Sequence, residues 1–378
     1  MKRFGFKRLA LLLLIIQLFS VTCGVSVGAF EKDTLPVSAS ESQSPLCFGT
    51  NTINKDDIKI SSRIYELLFN KSKNKTEELY LIPGGDVFGI KIKEAHVTVS
   101  SAKESSALKR GDKILSVNGI DVNDASDVNE ALKGCTGSAV NIDIIRGGEK
   151  MTLTVIPKYE GGSYKLGVTL RRVASGIGTI SFIDPNSGVF GGLGHGVCDA
   201  ESGNLVELTS GDVTGVILGG VKRGEIGKPG ELSGVLNKKC IGKIDKNCDC
   251  GVFGVLESFD AENRTPLPVG TKKEVKLGEA EIISTIKGGK KTKYKIEITE
   301  IDINSTGSKS FKIKVTDPML IALTGGIVRG MSGSPIIQNG KLVGAVTHVM
   351  VAEPTEGYGI FIENMLNATQ GEVMPKAA

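Results

Sequence analysis

The chain has 378 residues, 46 Lys+Arg against 42 Asp+Glu, a formal net charge of +4 and 23% charged residues. That length suits two or three folded units, and the charge balance excludes both charge-driven disorder and the strongly basic surface of a nucleic-acid binder. Forty-nine residues are glycine and none is tryptophan, so many turns between short strands are expected, and neither a coiled coil nor a collagen fits.

Met1 to Arg8 carries Lys2, Arg3, Lys7 and Arg8, and an apolar run follows from Leu9 through Phe19, continuing weakly to Phe30. Positive charge followed by an apolar run is an export signal, so the rest of the chain is expected to cross the cytoplasmic membrane. Val27-Gly28-Ala29 offers small residues for cleavage, yet an apolar stretch of roughly 20 residues is also about long enough to anchor in a bilayer. Residues 1–30 therefore read as a signal peptide or a membrane anchor. Residues 31–78 are rich in Ser, Lys and Asn and read as a tether.

Between 79 and 158 the pattern becomes regular. Leu79 to Ile82 is a short apolar strand, Gly84-Gly85 a turn, and Val87-Phe88-Gly89-Ile90 opens a second strand. Then come Leu108 to Gly119, a short helix with Val128, Ala131 and Leu132 on one side, and an alternating hairpin around Gly147-Gly148. These residues resemble a PDZ domain, chiefly through the strand entered by Gly111-Asp112 and left by Asn118-Gly119. The resemblance implies that a partner's extended segment adds to a sheet edge, with the N–H groups of Phe88, Gly89 and Ile90 capturing its terminal carboxylate. If the neighbouring domain covers that edge, it binds nothing.

Residues 160–372 are glycine-punctuated strands. His195 lies in Gly191-Gly192-Leu193-Gly194-His195-Gly196 and is one of three histidines. Ser332 lies in Gly330-Met331-Ser332-Gly333-Ser334-Pro335, which resembles the nucleophile loop of chymotrypsin-like serine peptidases. Small residues allow the tight turn that can aim the N–H groups of Gly330 and Ser332 at one point as an oxyanion hole. Ile336 to Val346 reads as a hairpin with an Asn339-Gly340 turn. An α/β-hydrolase is excluded, because it needs Gly-x-Ser-x-Gly followed by an acid and then a histidine. Here the fifth motif position is Ser334, and no Asp or Glu lies between Gly333 and His348. The expected fold is mainly β: a PDZ domain followed by a chymotrypsin-like double β-barrel.

Ser175 to Thr179, Gly192 to Gly196, Asp317-Pro318, Thr324 to Pro335, and Thr347-His348 followed by Gly357 to Ile360 together resemble the stage IV sporulation protein B family of signalling serine peptidases. The resemblance implies His195 as general base, Ser332 as nucleophile and Asp317 as the acidic member. Asp317 also reads as an Asp-Pro turn, and Asp199, the alternative orienter, as a turn cap. His348 is expected to pack against the preceding hairpin. Cys240, Cys248 and Cys250 lack the Cys-x2-4-Cys pairing of a metal site. They read as a surface loop with a disulfide, and no cofactor or metal is expected.

By the same resemblance, the substrate is a protein in the space between mother cell and forespore, a membrane-associated regulator of an intramembrane metalloprotease. The chain is also expected to cleave itself near its N-terminus, with the PDZ domain governing that cleavage and taking a peptide or C-terminal ligand. The competing readings are a peptide-binding scaffold with an inactive peptidase domain and a general quality-control peptidase.

Overall fold

The computed structural model describes residues 78–199, 203–260 and 264–369. The expected export segment, and the tether up to residue 77, lie outside the described residues.

Two antiparallel barrels form the body of the chain. The second follows the local pattern most plainly. In β16 (Lys291–Ile301), Tyr294, Ile296 and Ile298 alternate with exposed polar residues, and in β17 (Phe311–Val315) Phe311, Ile313 and Val315 do the same. Such period-two strands bury one face, and closing the sheet removes the unpaired edges. β15 (Gly278–Thr285), β16, β17, β20 (Glu353–Phe361), β19 (Lys341–Met350) and β18 (Pro335–Gln338) form this closed barrel. The β18–β19 connection is the expected Asn-Gly hairpin, with φ of 51° at Asn339 and 76° at Gly340.

The first barrel also closes on itself. β2 (Val87–Ala102) pairs with β9 (Val168–Ile183), which pairs with β10 (Val189–Gly192), then β13 (Gly251–Leu256), β12 (Glu231–Cys248) and β11 (Leu208–Lys222), which returns to β2. Phe88, Ile90, Ile92, Ile180, Phe190, Val213 and Val252 fill its core. The short β1 (Tyr80–Pro83) pairs with β9 and with β14 (Leu267–Pro268).

The PDZ fold is inserted between two neighbouring strands of this barrel. From Phe88 to Lys93, β2 pairs with 173–178 of β9, and after a register shift its outer residues Thr98 to Ala102 pair with 168–171. Those outer halves join β3 (Lys113–Val117), β4 (Ile120–Asp121), β5 (Val140–Arg146) and β6 (Glu149–Val155). The helix α1 (Ala125–Leu132) buries Val128 and Leu132 in a separate core with Val97, Val99, Leu108, Ile114, Ile142 and Ile144. Two strands thus run unbroken through both folds, and the sheets do not divide at the expected 158/160 boundary.

This corrects the reading of Phe88, Gly89 and Ile90 as a PDZ peptide-binding loop. Phe88 pairs with Gly178 on one side and Gly215 on the other, and Ile90 with Gly176 and Val213. The Phe88 and Ile90 side chains are 1% and 2% exposed. Both edges of the strand are consumed by neighbours, so no ligand strand can be added there.

Candidate active site

His195 and Ser332 come from different barrels. His195 follows β10, and Ser332 lies in the turn between α2 (Pro318–Thr324) and β18. Thr179 of β9 joins them: its N–H donates to the Ser332 carbonyl at 2.9 Å, its hydroxyl to the Gly330 carbonyl at 2.8 Å, and its own carbonyl accepts from Leu193 N–H at 3.2 Å. Sequence reasoning counted Thr179 only within a resembling segment and gave it no role, because Ser-Gly-Ile-Gly-Thr carries no chemistry of its own.

The Ser332 turn is held by Met331 N–H donating to the Val328 carbonyl and Ser334 N–H donating to the Met331 carbonyl. The N–H groups of Gly330 and Ser332 find no hydrogen-bond acceptor among the described residues. Two main-chain donors left free beside a serine hydroxyl are what an oxyanion hole requires. The Ser332 hydroxyl itself donates to the Thr347 carbonyl at 2.8 Å, so in this conformation its proton is directed to β19 and not to His195.

The His195 ring has Nδ1 2.9 Å from the Gly196 carbonyl. A carbonyl oxygen can only accept, so Nδ1 carries the proton and the Nε2 lone pair is left for use as a base. Desolvation pushes the imidazole below its ordinary value, against the raising influence of that hydrogen bond, and keeps it neutral.

His348 does not merely pack against its hairpin. Its ring lies 4.9 Å from that of His195, centroid to centroid, at 38°. Burial, then the His195 and Lys309 charges, push it down to about 4, and its Nδ1 is buried without a hydrogen-bond partner. Both rings are therefore neutral near pH 7.

Asp317 is placed elsewhere. It is the N-cap of α2, with Oδ1 accepting from the Met319 and Leu320 N–H groups and Oδ2 from Lys295 N–H. The hydrogen bond that His195 Nδ1 would give to an acid goes to Gly196 instead. In this structure Asp317 is thus the helix cap of the Asp-Pro alternative, and His195 Nδ1 has no acidic partner among the described residues. Asp317→Ala is expected to cost about 1 kcal/mol in denaturant unfolding while labelling of Ser332 by a fluorophosphonate stays within about threefold of the wild-type rate. Asp199, the other candidate, bonds Arg171 at 2.6 Å, and that arginine also pairs with Glu94 at the junction with the PDZ fold.

The five described cysteines, Cys135, Cys198, Cys240, Cys248 and Cys250, are free thiols, which corrects the expected disulfide among the last three. Burial pushes the Cys250 thiol up to about 11, with Cys248 and Asp249 adding to the shift.

The profile of the family described as SpoIVB peptidase S55 matches residues 162–366, and a PDZ-domain profile matches 52–156. A putative zinc metalloprotease of Lactococcus lactis, LL2128, is 38% identical over 64 residues, 17% of this chain. The chain spans 15% of that relative's length. Among solved structures, the active form of the Rv3671c protease from M. tuberculosis is 16% identical, covering 54% of this chain and 78% of that one, with a TM-score of 0.30. The HtrA-type protease AlgW with a decapeptide is 11% identical, covering 76% and 63%, with a TM-score of 0.32. A PDZ domain of an SdrC-like protein from Listeria monocytogenes is 20% identical, covering 21% and 90%, with a TM-score of 0.19.

Proposed function

The chain belongs to the SpoIVB peptidase S55 family and is a serine endopeptidase carrying a PDZ domain, and from that premise we propose that Ser332 is its nucleophile and His195 its general base. The Ser332 hydroxyl leaves the Thr347 carbonyl by a side-chain rotation and turns to His195. As Oγ bonds to the substrate's peptide carbonyl, Nε2 takes the hydroxyl proton and the carbonyl electron pair moves onto oxygen. The Gly330 and Ser332 N–H groups hold that oxyanion. Collapse of the tetrahedral species breaks the C–N bond, and the imidazolium returns the proton to the leaving amine. Water then repeats the sequence on the acyl-enzyme.

The observation that carries this reading is the pair of unpartnered N–H groups flanking a serine whose loop is tied, through Thr179, to the loop of a histidine with a free Nε2.

The substrate reading rests on the family resemblance. It is a regulatory protein of sporulation signalling, associated with the membrane and restraining an intramembrane metalloprotease, so that its cleavage leads to sigma-factor processing. The same resemblance supports self-cleavage, and the charge and apolarity of residues 1–30 support export with an N-terminal anchor or cleaved signal, into the space between forespore and mother-cell membranes. The PDZ fold supports capture of a peptide or protein partner, at an edge other than Phe88 to Ile90.

Full-length wild-type chain and Ser332→Ala, incubated in parallel, test this. The wild type is expected to release fragments whose new N-termini fall within 31–78, the variant none, and unfolded casein is expected to survive both. Identical fragments from both chains would overturn the peptidase assignment of Ser332, and rapid casein degradation would overturn the signalling role.

A further inference from the structure

We propose that Asn247 is a positioning residue for His195, fixing its tautomer through a single peptide group. The proposal rests on the reading of His195 as general base.

Asn247 sits near the end of β12, paired with Val252 of β13, where Cys248 pairs with Gly251 to close a tight hairpin. Its carboxamide reaches across 50 positions of sequence to the loop that carries His195. The Oδ1 accepts from the Val197 N–H at 2.8 Å, and Nδ2 donates to the Val197 carbonyl at 2.9 Å and the Val206 carbonyl at 2.8 Å. One main-chain donor and two main-chain acceptors leave only one way round for the amide, so its oxygen and nitrogen are assigned by chemistry.

The Val197 N–H and the Gly196 C=O are the two ends of one planar peptide unit. That carbonyl is the acceptor for His195 Nδ1. The chain of bonds therefore runs from the Asn247 oxygen to the Val197 N–H, through the amide resonance to the Gly196 oxygen, and on to the imidazole N–H. An acceptor on the N–H end draws electron density onto the carbonyl oxygen, and successive hydrogen bonds strengthen one another. When Nε2 takes the serine proton, the imidazolium meets an oxygen already polarised towards it.

The packing keeps the relay closed. A Cβ at Gly196 would lie 2.9 Å from the Cys248 carbonyl oxygen and 2.3 Å from Leu205 Cδ1, so hairpin and loop meet at a distance that only glycine permits. Asn247 is thus a positioning residue: it touches neither substrate nor Ser332.

The test uses the full-length chain with 15N-labelled histidine. With three histidines in the sequence, the tautomer of each ring can be assigned by NMR, beside the rate of fluorophosphonate labelling. The wild type is expected to hold His195 as the Nδ1–H tautomer. Asn247→Ala removes the acceptor, so that tautomer is expected to lose its dominance and labelling to slow by about 10- to 100-fold. Asn247→Asp keeps an acceptor for Val197 N–H but loses both donors. It is expected to restore the tautomer and most of the rate.

If Asn247 is only a brace, the aspartate protein will be no better than the alanine protein, because two carbonyls then face a carboxylate, and the relay is overturned. An unchanged tautomer in Asn247→Ala overturns it as well. Should the alanine protein not fold, the aspartate protein decides alone, since an Nδ1–H ring supports the relay and an Nε2–H ring ends it. Failure of the wild type to be labelled at Ser332 would instead remove the peptidase mechanism, while the tautomer still reports on the relay.

Discussion

His195→Ala will slow fluorophosphonate labelling of Ser332 by roughly 10⁴- to 10⁶-fold, the range that removal of the base from a serine-histidine pair produces elsewhere. A serine hydroxyl is a poor nucleophile without a group to take its proton, and His195 has its Nε2 lone pair free because Nδ1 is committed to Gly196. His348 is the nearest substitute, yet its Nδ1 is sealed from solvent and its basicity is lowered to about 4. The sign of the pH dependence follows. Neutral His195 is the active form, and desolvation moves its titration below 6.5. The wild-type rate is therefore expected to hold level down to about 6.5 and to fall only at lower pH. Two influences set that midpoint: desolvation, which lowers it, and the hydrogen bond to the Gly196 carbonyl, which raises it. Labelling of the alanine variant at the wild-type rate would exclude His195 as the base.

Gly333→Ala is expected to destabilise the chain by about 3–5 kcal/mol and to abolish labelling. Gly333 has φ of 96°, and a Cβ placed on it would stand 1.9 Å from the Thr179 carbonyl oxygen and 2.6 Å from Leu193 N. These are the atoms that tie the His195 loop to β9, so relief of the clash must separate the two catalytic loops. The Gly333 N–H also donates to the Val346 carbonyl at 2.7 Å, so the turn cannot retreat without losing its hold on β19. Gly340→Ala separates conformation from contact. Its φ is 76° with nothing within 4 Å of the added Cβ, so a cost of about 1–2 kcal/mol with labelling intact is expected. Chemical unfolding beside labelling rates measures both, and equal effects at the two glycines would refute the steric account.

The Ser332 and His195 loops were legible because tight backbone approach demands glycine and leaves it written in the chain. The Asn339-Gly340 hairpin was legible for a similar reason, since its turn needs positive φ. The Phe88 strand was read as β, but alternation tells which face is buried and says nothing about what pairs with the edges. Asp317-Pro318 illustrates another limit: the same dipeptide serves a helix cap or a catalytic acid, and only the Met319, Leu320 and Lys295 N–H groups around it decide. The roles of Thr179 and Asn247 were invisible because they depend on partners 151 and 50 positions away.

The unbroken passage of β2 and β9 through both folds means that no single scission can separate an intact peptidase from the PDZ fold. A fragment beginning after 158 would lack β1 and the stretch Phe88 to Lys93, and would leave β9 and β11 as open edges where a barrel should close. Conversely, the PDZ fold enters and leaves through adjacent, paired strands, so its ends are already side by side. In the language of assembly, the first barrel is a ring that can be completed only after the whole PDZ segment has been synthesised, because its clasp, β2 against β9, is made from the two ends of that segment.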